Sequence, residues 1–167
     1  LPSMIVVRCL GVMEDTLMQG FTSALDAGGA DAGFKQAQAL GLVKGPRMQV
    51  CGHPLTQTGG HADMRLPTEI HGPLGHYFEA GVVADGVAEV RRAARNELRM
   101  GADYVKIMAA GGCASPSDEC DTVQYSLDEM RAIAEEADAV GKICIAHCYS
   151  PRSVQRCAEA GVKRVDH

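Results

Sequence analysis

Lys106 sits inside the apolar run Tyr104-Val105-Lys106-Ile107-Met108, where an ammonium is costly to bury as a cation. Three uses are open to such an amine. It can sit in a structural ion pair, form a Schiff base with a carbonyl substrate, or take up carbon dioxide to become a carbamate that binds metal through two oxygens. Two imidazoles change the weight of these readings. His147 ends the apolar stretch Ile143-Cys144-Ile145-Ala146, and His167 ends Val165-Asp166. A single histidine there is ordinarily a satisfied core residue, but two near one buried lysine fit a zinc-type centre, for which imidazole is a common ligand.

The segments carrying these residues follow one plan, repeated four times: an amphipathic helix, a glycine, then a short strand ending in a polar residue. The first helix places Val6, Leu10, Met13 and Leu17 at helical spacing, closes at Gly20 and leads into a strand over 21–26. The second opens at Asp85 as N-cap, runs through Val87, Val90, Ala94 and Leu98 to Gly101, and delivers Lys106. The third begins with a Ser126/Glu129 capping box, buries Met130, Ile133, Ala137 and Val140, and delivers His147 after Gly141. The fourth has Ser150 as N-cap and Pro151 at the first helical position, buries Val154, Cys157 and Ala158, and delivers His167 after Gly161. A further strand is expected over 46–51, after a short helix over 34–40. Strands joined by helical crossovers are parallel and covered on both faces, so the class is α/β. Alternation puts Lys106, His147 and His167 on one face with Tyr104, Ile145 and Val165. Polar groups converging from three strands fit a (β/α)8 TIM barrel better than an open sheet. A complete barrel takes ~250 residues, so the 167-residue chain is expected to be an incomplete barrel segment covering about strands two to six, with 1–167 a single partial domain.

Composition narrows the function. At 46% hydrophobic and 22% charged, with a net charge of −5, the chain reads as one globular domain. Scattered basic residues and only seven aromatics argue against nucleic-acid binding. No apolar run approaches the ~20 residues of a membrane span. Seven cysteines without a CxxC pair read as reduced thiols of a cytoplasmic protein, with no disulfide framework.

Residues 101–112 (around Lys106), Ala146-His147-Cys148-Tyr149, and 160–167 (ending at His167) closely resemble the amidohydrolase superfamily, specifically its prolidase-like, imidazolonepropionase-related hydrolases. The Gly59-Gly60-His61-Ala62-Asp63 loop and Asp26-Ala27-Gly28-Gly29 fit the same group. The resemblance implies that Lys106 is carboxylated and bridges two divalent metal ions, zinc by expectation, with His147 and His167 ligating one of them. It further implies a His-x-His pair upstream of Leu1 and a general-base aspartate beyond His167, so no catalytic proton shuttle is expected within the segment. The implied reaction is hydrolysis of an amide bond in a small substrate, a dipeptide or N-acyl amino acid. The alternatives are a Schiff-base lysine aldolase built on Lys106, which leaves both histidines without a role, and a catalytically inert fragment. A homo-oligomer is left open.

Residues 52–84 are too long for an ordinary connection and show no clear periodicity, so they are expected to form a lid or specificity loop after the 46–51 strand. Of its histidines, His53, His71 and His76 are expected to be solvated, whereas His61 lies in the family-like motif and is a candidate donor to a substrate carbonyl. Tyr149, just past His147, and Arg65, with its forked donors, are candidate substrate-binding residues, the latter for a carboxylate. The 111–125 loop is expected to border the same pocket, and Asp26 to buttress strand ends.

Overall fold

The computed structural model describes residues 2–69 and 80–167. His71, His76 and Pro73, all in the expected specificity loop, lie outside the described residues. The chain begins with helix α1 (Pro2–Met18), followed by strand β1 (Ser23–Asp26), helix α2 (Ala32–Ala39) and strand β2 (Arg47–Val50). Two very short strands, β3 (Leu55–Thr56) and β4 (Val82–Val83), pair within the region expected to be loop. Then come α3 (Val87–Arg99), β5 (Val105–Met108), α4 (Leu127–Asp138), β6 (Cys144–His147), α5 (Pro151–Glu159) and β7 (Arg164–Asp166). All five expected strands are present as β1, β2, β5, β6 and β7, and every pairing between named strands is parallel.

The strands form two sheets, β1-β2 and β4-β3-β5-β6-β7. Asp103 ties them together at the start of β5. Its N–H donates to Val50 O at 2.7 Å, and its carboxylate accepts from Val50 N at 2.9 Å and from Lys35 Nζ at 2.5 Å. The result is a curved parallel arc with helices on its outer side.

Two layers of side chains follow from strand alternation. Val105, Ile107, Cys144 and Ala146 point outward into a core completed by Val90 and Ala94 of α3, Met130, Ile133 and Ala137 of α4, and Cys157 of α5. Facing the interior, Cys51, Tyr104 and Ile145 pack together with Leu25. Tyr104 OH donates to Asp26 O, while Asp26 Oδ1 accepts from Gly28 N and Ala30 N, so Asp26 buttresses the end of β1 as expected.

Several helix details differ from the sequence reading. Gly86, not Asp85, is the N-cap of α3, because the Asp85 carboxylate is already engaged by the Thr58 N–H and hydroxyl. Glu129 of α4 instead accepts from Gly86 N. The Ser126/Glu129 capping box and the Ser150 cap with Pro151 form as expected. Val140 is exposed because α4 has ended by Asp138, so helical spacing no longer aims it at the core. In α5 the buried face is Ser153 and Cys157, leaving Val154 and Ala158 exposed. Ser153 is drawn in by its hydrogen bonds to Ser150, which rotates the inward face by one residue. On α1 only Met13 of the expected face is buried, and Val6 is exposed.

No helix among the described residues is long and apolar enough to cross a membrane.

Candidate active site

Parallel register fixes which side chains meet at the strand ends. Lys106 aligns with Ile145 and Arg164, and Met108 with His147 and Asp166. The inward face of β7 is therefore Arg164 and Asp166, and Val165 points the other way, contrary to the grouping expected from sequence. Lys106 is 1% exposed, and its Nζ donates to Asp166 Oδ2 at 2.6 Å across the intervening strand β6. Arg164 Nε donates to the other oxygen, Oδ1, at 2.8 Å. Burial alone would raise the Asp166 pKa, but the Lys106 and Arg164 cations outweigh it and hold the carboxyl below its usual range. Of the three uses open to Lys106, the geometry is that of the ion pair.

His147, 3% exposed, is the centre of an aromatic cluster at the end of β6. Its ring stacks on His61 at 4.4 Å between centroids and 15° between planes. It meets Tyr149 edge-on at 4.5 Å and His167 edge-on at 5.0 Å. Strict alternation would turn His167 away, but its φ of +71° takes it out of the strand geometry and brings the ring toward His147. Burial pushes the His147 pKa down to about 4. The hydrogen bond to Gly111 O opposes this, and His61, His167 and Lys106 add to the depression. The imidazole is therefore neutral near pH 7. Nε2 lies 2.9 Å from Gly111 O, a pure acceptor, so Nε2 carries the hydrogen and Nδ1 keeps its lone pair.

His61 is delivered by the Gly-Gly-His-Ala-Asp turn. Gly59, at φ +69°, lets its N–H reach Asp63 Oδ2 at 2.9 Å, and Asp63 N closes the turn on Gly60 O. Gln124 Oε1 accepts from the His61 backbone N–H, and His61 Nδ1 lies 3.0 Å from Ser115 Oγ and 3.7 Å from Asp118 Oδ2. The ring lies so close over Gly112 that a β-carbon there would come within 2.0 Å of His61 Cε1. The 111–125 loop thus borders the cluster, as expected.

The remaining candidates divide. Tyr149 joins the cluster with its side chain half in solvent, 47% exposed. Arg65 directs its fork at Asp63, Nε to Oδ1 at 2.6 Å and Nη2 to Oδ2 at 2.5 Å. These bonds are the main reason the Asp63 carboxyl titrates below its usual range, against an opposing effect of burial. His53 is not simply solvated: its N–H donates to the buried Glu97, and its Nδ1 lies 3.7 Å from the same carboxylate. Glu97 and Asp166 are the partners the sequence reading missed. Glu97 falls three residues after Ala94 and seven after Val90, a spacing that marks it as an acid on a buried face. Among the described residues, no group of three or more His, Cys, Asp or Glu side chains is arranged to hold a metal ion.

The comparisons agree with this architecture. The family model described as "Amidohydrolase family" matches residues 2–167. Ochratoxinase of Aspergillus niger is 36% identical over 163 residues, which are 92% of this chain and 34% of that protein. A crystal structure of an amidohydrolase superposes with a TM-score of 0.95 at 46% identity, covering 100% of this chain and 42% of that one. A prolidase crystallised with N-methylphosphonate-L-proline gives a TM-score of 0.95 at 42% identity, with the same coverage. The chain spans about a third of the length of the curated relative it matches, and its parallel arc is a segment of a TIM barrel. With its sequence matched from residue 2 to residue 167, the chain belongs to the amidohydrolase family.

Proposed function

We propose that the protein carrying this segment is a metal-dependent amidohydrolase that cleaves the amide bond of a small substrate, a dipeptide or N-acyl amino acid. The observation that supports the reading is that Lys106, His147 and His167 are carried by three adjacent parallel strands and the loop end of the third, with the two imidazoles 5.0 Å apart. The likeness to a prolidase and to ochratoxinase supports amide hydrolysis as the reaction class.

This segment would contribute three donors to a binuclear divalent centre, the carboxylated Lys106, His147 and His167, with zinc the metal we favour. The neutral His147 offers the Nδ1 lone pair, and His167 adds a second imidazole beside it. Lys106 is the site of carboxylation: its ammonium first gives up one proton, the free amine then adds to the carbon of carbon dioxide and releases a second, and the resulting carbamate would offer two oxygen donors to metal. Carboxylation requires Lys106 to leave its ion pair, and Arg164 is already in place to keep Asp166 paired. Lys106, His147 and His167 would hold such a centre, and the chemistry it would supply is polarisation of the scissile carbonyl and acidification of a water.

The surrounding residues bind and orient. His61, which Ser115 and the stacking on His147 hold in position, is in this reading the donor to the substrate carbonyl. Tyr149 lies at the open side of the cluster, where a carbonyl or carboxylate of the substrate enters. The 52–84 segment, which delivers His61, is the specificity loop. The Arg65 fork already serves Asp63, so a substrate carboxylate would have to share or displace that partner.

The test is Lys106→Ala in the full-length protein, followed by metal content and hydrolysis of a panel of dipeptides and N-acyl amino acids. Metal and activity should fall together and return in part with a short carboxylic acid standing in for the carbamate. Full metal content and full activity in that variant would overturn the reading. Borohydride trapping of Lys106 with a carbonyl substrate would favour the Schiff-base alternative instead.

A further inference from the structure

We propose that Cys113 and Cys120 form a reversible disulfide that staples the 111–122 loop against His61, making this loop a site of thiol oxidation beside the histidine cluster. The two Sγ atoms lie 3.3 Å apart and both residues are exposed, so an oxidant can reach them. A disulfide requires ~2.05 Å between the sulfurs, little more than 1 Å closer than the thiols already stand.

The backbone has drawn the pair together. Ala110 bridges Val123 in antiparallel fashion, Gly111 N donates to Thr122 O at 3.2 Å, and Thr122 N donates to Glu119 O at 3.0 Å. The loop neck is so tight that a β-carbon on Gly111 would come within 1.9 Å of Glu119 O. Between the two cysteines lie Ser115 and Asp118, the residues that flank His61 Nδ1, and Gly111 at the neck accepts from His147 Nε2. A bond between Cys113 and Cys120 therefore closes a ring around the residues that hold His61.

A second pair provides a contrast. Cys148 and Cys157 have their sulfurs 3.4 Å apart, but both are buried between β6 and α5, where a soluble oxidant has no access. Exposure, rather than proximity, selects the Cys113–Cys120 pair.

The oxidant class is a small-molecule disulfide. One cysteine thiolate attacks it, forming a mixed disulfide and expelling one small thiolate. The second cysteine thiolate then attacks the protein sulfur of that mixed disulfide and expels the other. Both cysteine protons pass to the two departing thiolates, so two cysteine thiols are oxidised to one cystine while one disulfide is reduced to two thiols. The bond to Cys113 and the nearby Asp118 and Glu119 hold the Cys120 thiol protonated more strongly than an ordinary thiol.

The experiment incubates the chain with glutathione disulfide, blocks the remaining thiols, cleaves after Glu119 and maps the peptides by mass. The expected result is loss of two of the seven thiols, no retained glutathione, and a cross-link joining the peptides of Cys113 and Cys120 that dithiothreitol reverses. Cys120→Ser should instead hold glutathione on Cys113. Hydrogen exchange at the Gly111 and Thr122 amides should slow several-fold on oxidation of the wild type and stay unchanged in the Cys113→Ser, Cys120→Ser variant. Seven surviving thiols, glutathione retained by the wild type, a cross-link mapped to Cys148 and Cys157, or unaltered exchange after oxidation would each overturn the staple. None of these readouts depends on hydrolase activity.

Discussion

Lys106 reaches past strand β6 to place its Nζ 2.6 Å from Asp166 Oδ2, while Arg164 holds the other oxygen of the same carboxylate. The arrangement is asymmetric. Asp166 has two cationic partners, whereas among the described residues Asp166 is the only hydrogen-bond partner of the Lys106 Nζ. Removing one member of a buried pair costs ~3–5 kcal/mol when the other is left as an uncompensated charge. Asp166→Asn should therefore destabilise the protein by that order. Lys106→Met should cost clearly less, since Arg164 remains on Asp166. Urea unfolding of the two variants checks this, and equal losses would show that Arg164 does not substitute for Lys106.

Gly112 is expected to be indispensable for the stacking of His61 on His147. Its missing side chain leaves room for the His61 ring, and a β-carbon would lie 2.0 to 2.4 Å from three ring atoms. The ring cannot retreat freely, because His147 stacks on it and Ser115 holds Nδ1. Gly112→Ala should displace His61 and destabilise the fold by ~1–3 kcal/mol, the usual effect of overpacking. Under the hydrolase reading, turnover should fall more than stability. Thermal unfolding together with the His61 ring resonances in a proton NMR spectrum provides the check.

Much of this site was legible in the sequence because buried strands tolerate few polar residues, so Lys106 and His147 stood out within apolar runs. The strand starts were also legible, since each glycine after an amphipathic helix marks the approach to a new strand. The Lys106–Asp166 pair was not, because it depends on the register of β5 against β7 through β6, and no local pattern encodes register between strands far apart in sequence. His167 reaches the cluster only through a positive φ that strand alternation cannot anticipate. Likewise the inward face of α5 turned on the Ser150–Ser153 hydrogen bonds rather than on hydrophobicity.

Gly11 offers a prediction of the opposite sign. It lies in the interior of α1, its φ is not in the left-handed region, and a β-carbon there would meet nothing within 4 Å. A glycine in a helix interior is less favourable than alanine by ~0.5–1 kcal/mol, mostly through the freedom it has in the unfolded chain. Gly11→Ala should stabilise the protein by about that amount and leave the histidine cluster unchanged, as a denaturation midpoint would report. Gly111→Ala is the matched opposite, since its β-carbon would collide with Glu119 O, and it should destabilise.

Asp103 makes acid sensitivity predictable at one defined joint. Burial would raise its pKa, but the bonds from Lys35 and Val50 N, with the Lys35 and Lys142 charges, outweigh burial and hold it below the ordinary value. In an unfolded chain the carboxyl titrates near ~3.9. Because the folded pKa is the lower of the two, the stabilisation from this group is fully present above the unfolded value and fades as pH falls through the folded one. Asp103→Asn removes that contribution while keeping the side-chain shape. The stability gap between wild type and variant should be constant from neutral pH down to about pH 5, shrink below it, and narrow further in strong acid. Unfolding curves measured across that range test it directly. A gap that stayed constant into strong acid would mean that the negative charge of Asp103 adds nothing to the joint between β2 and β5.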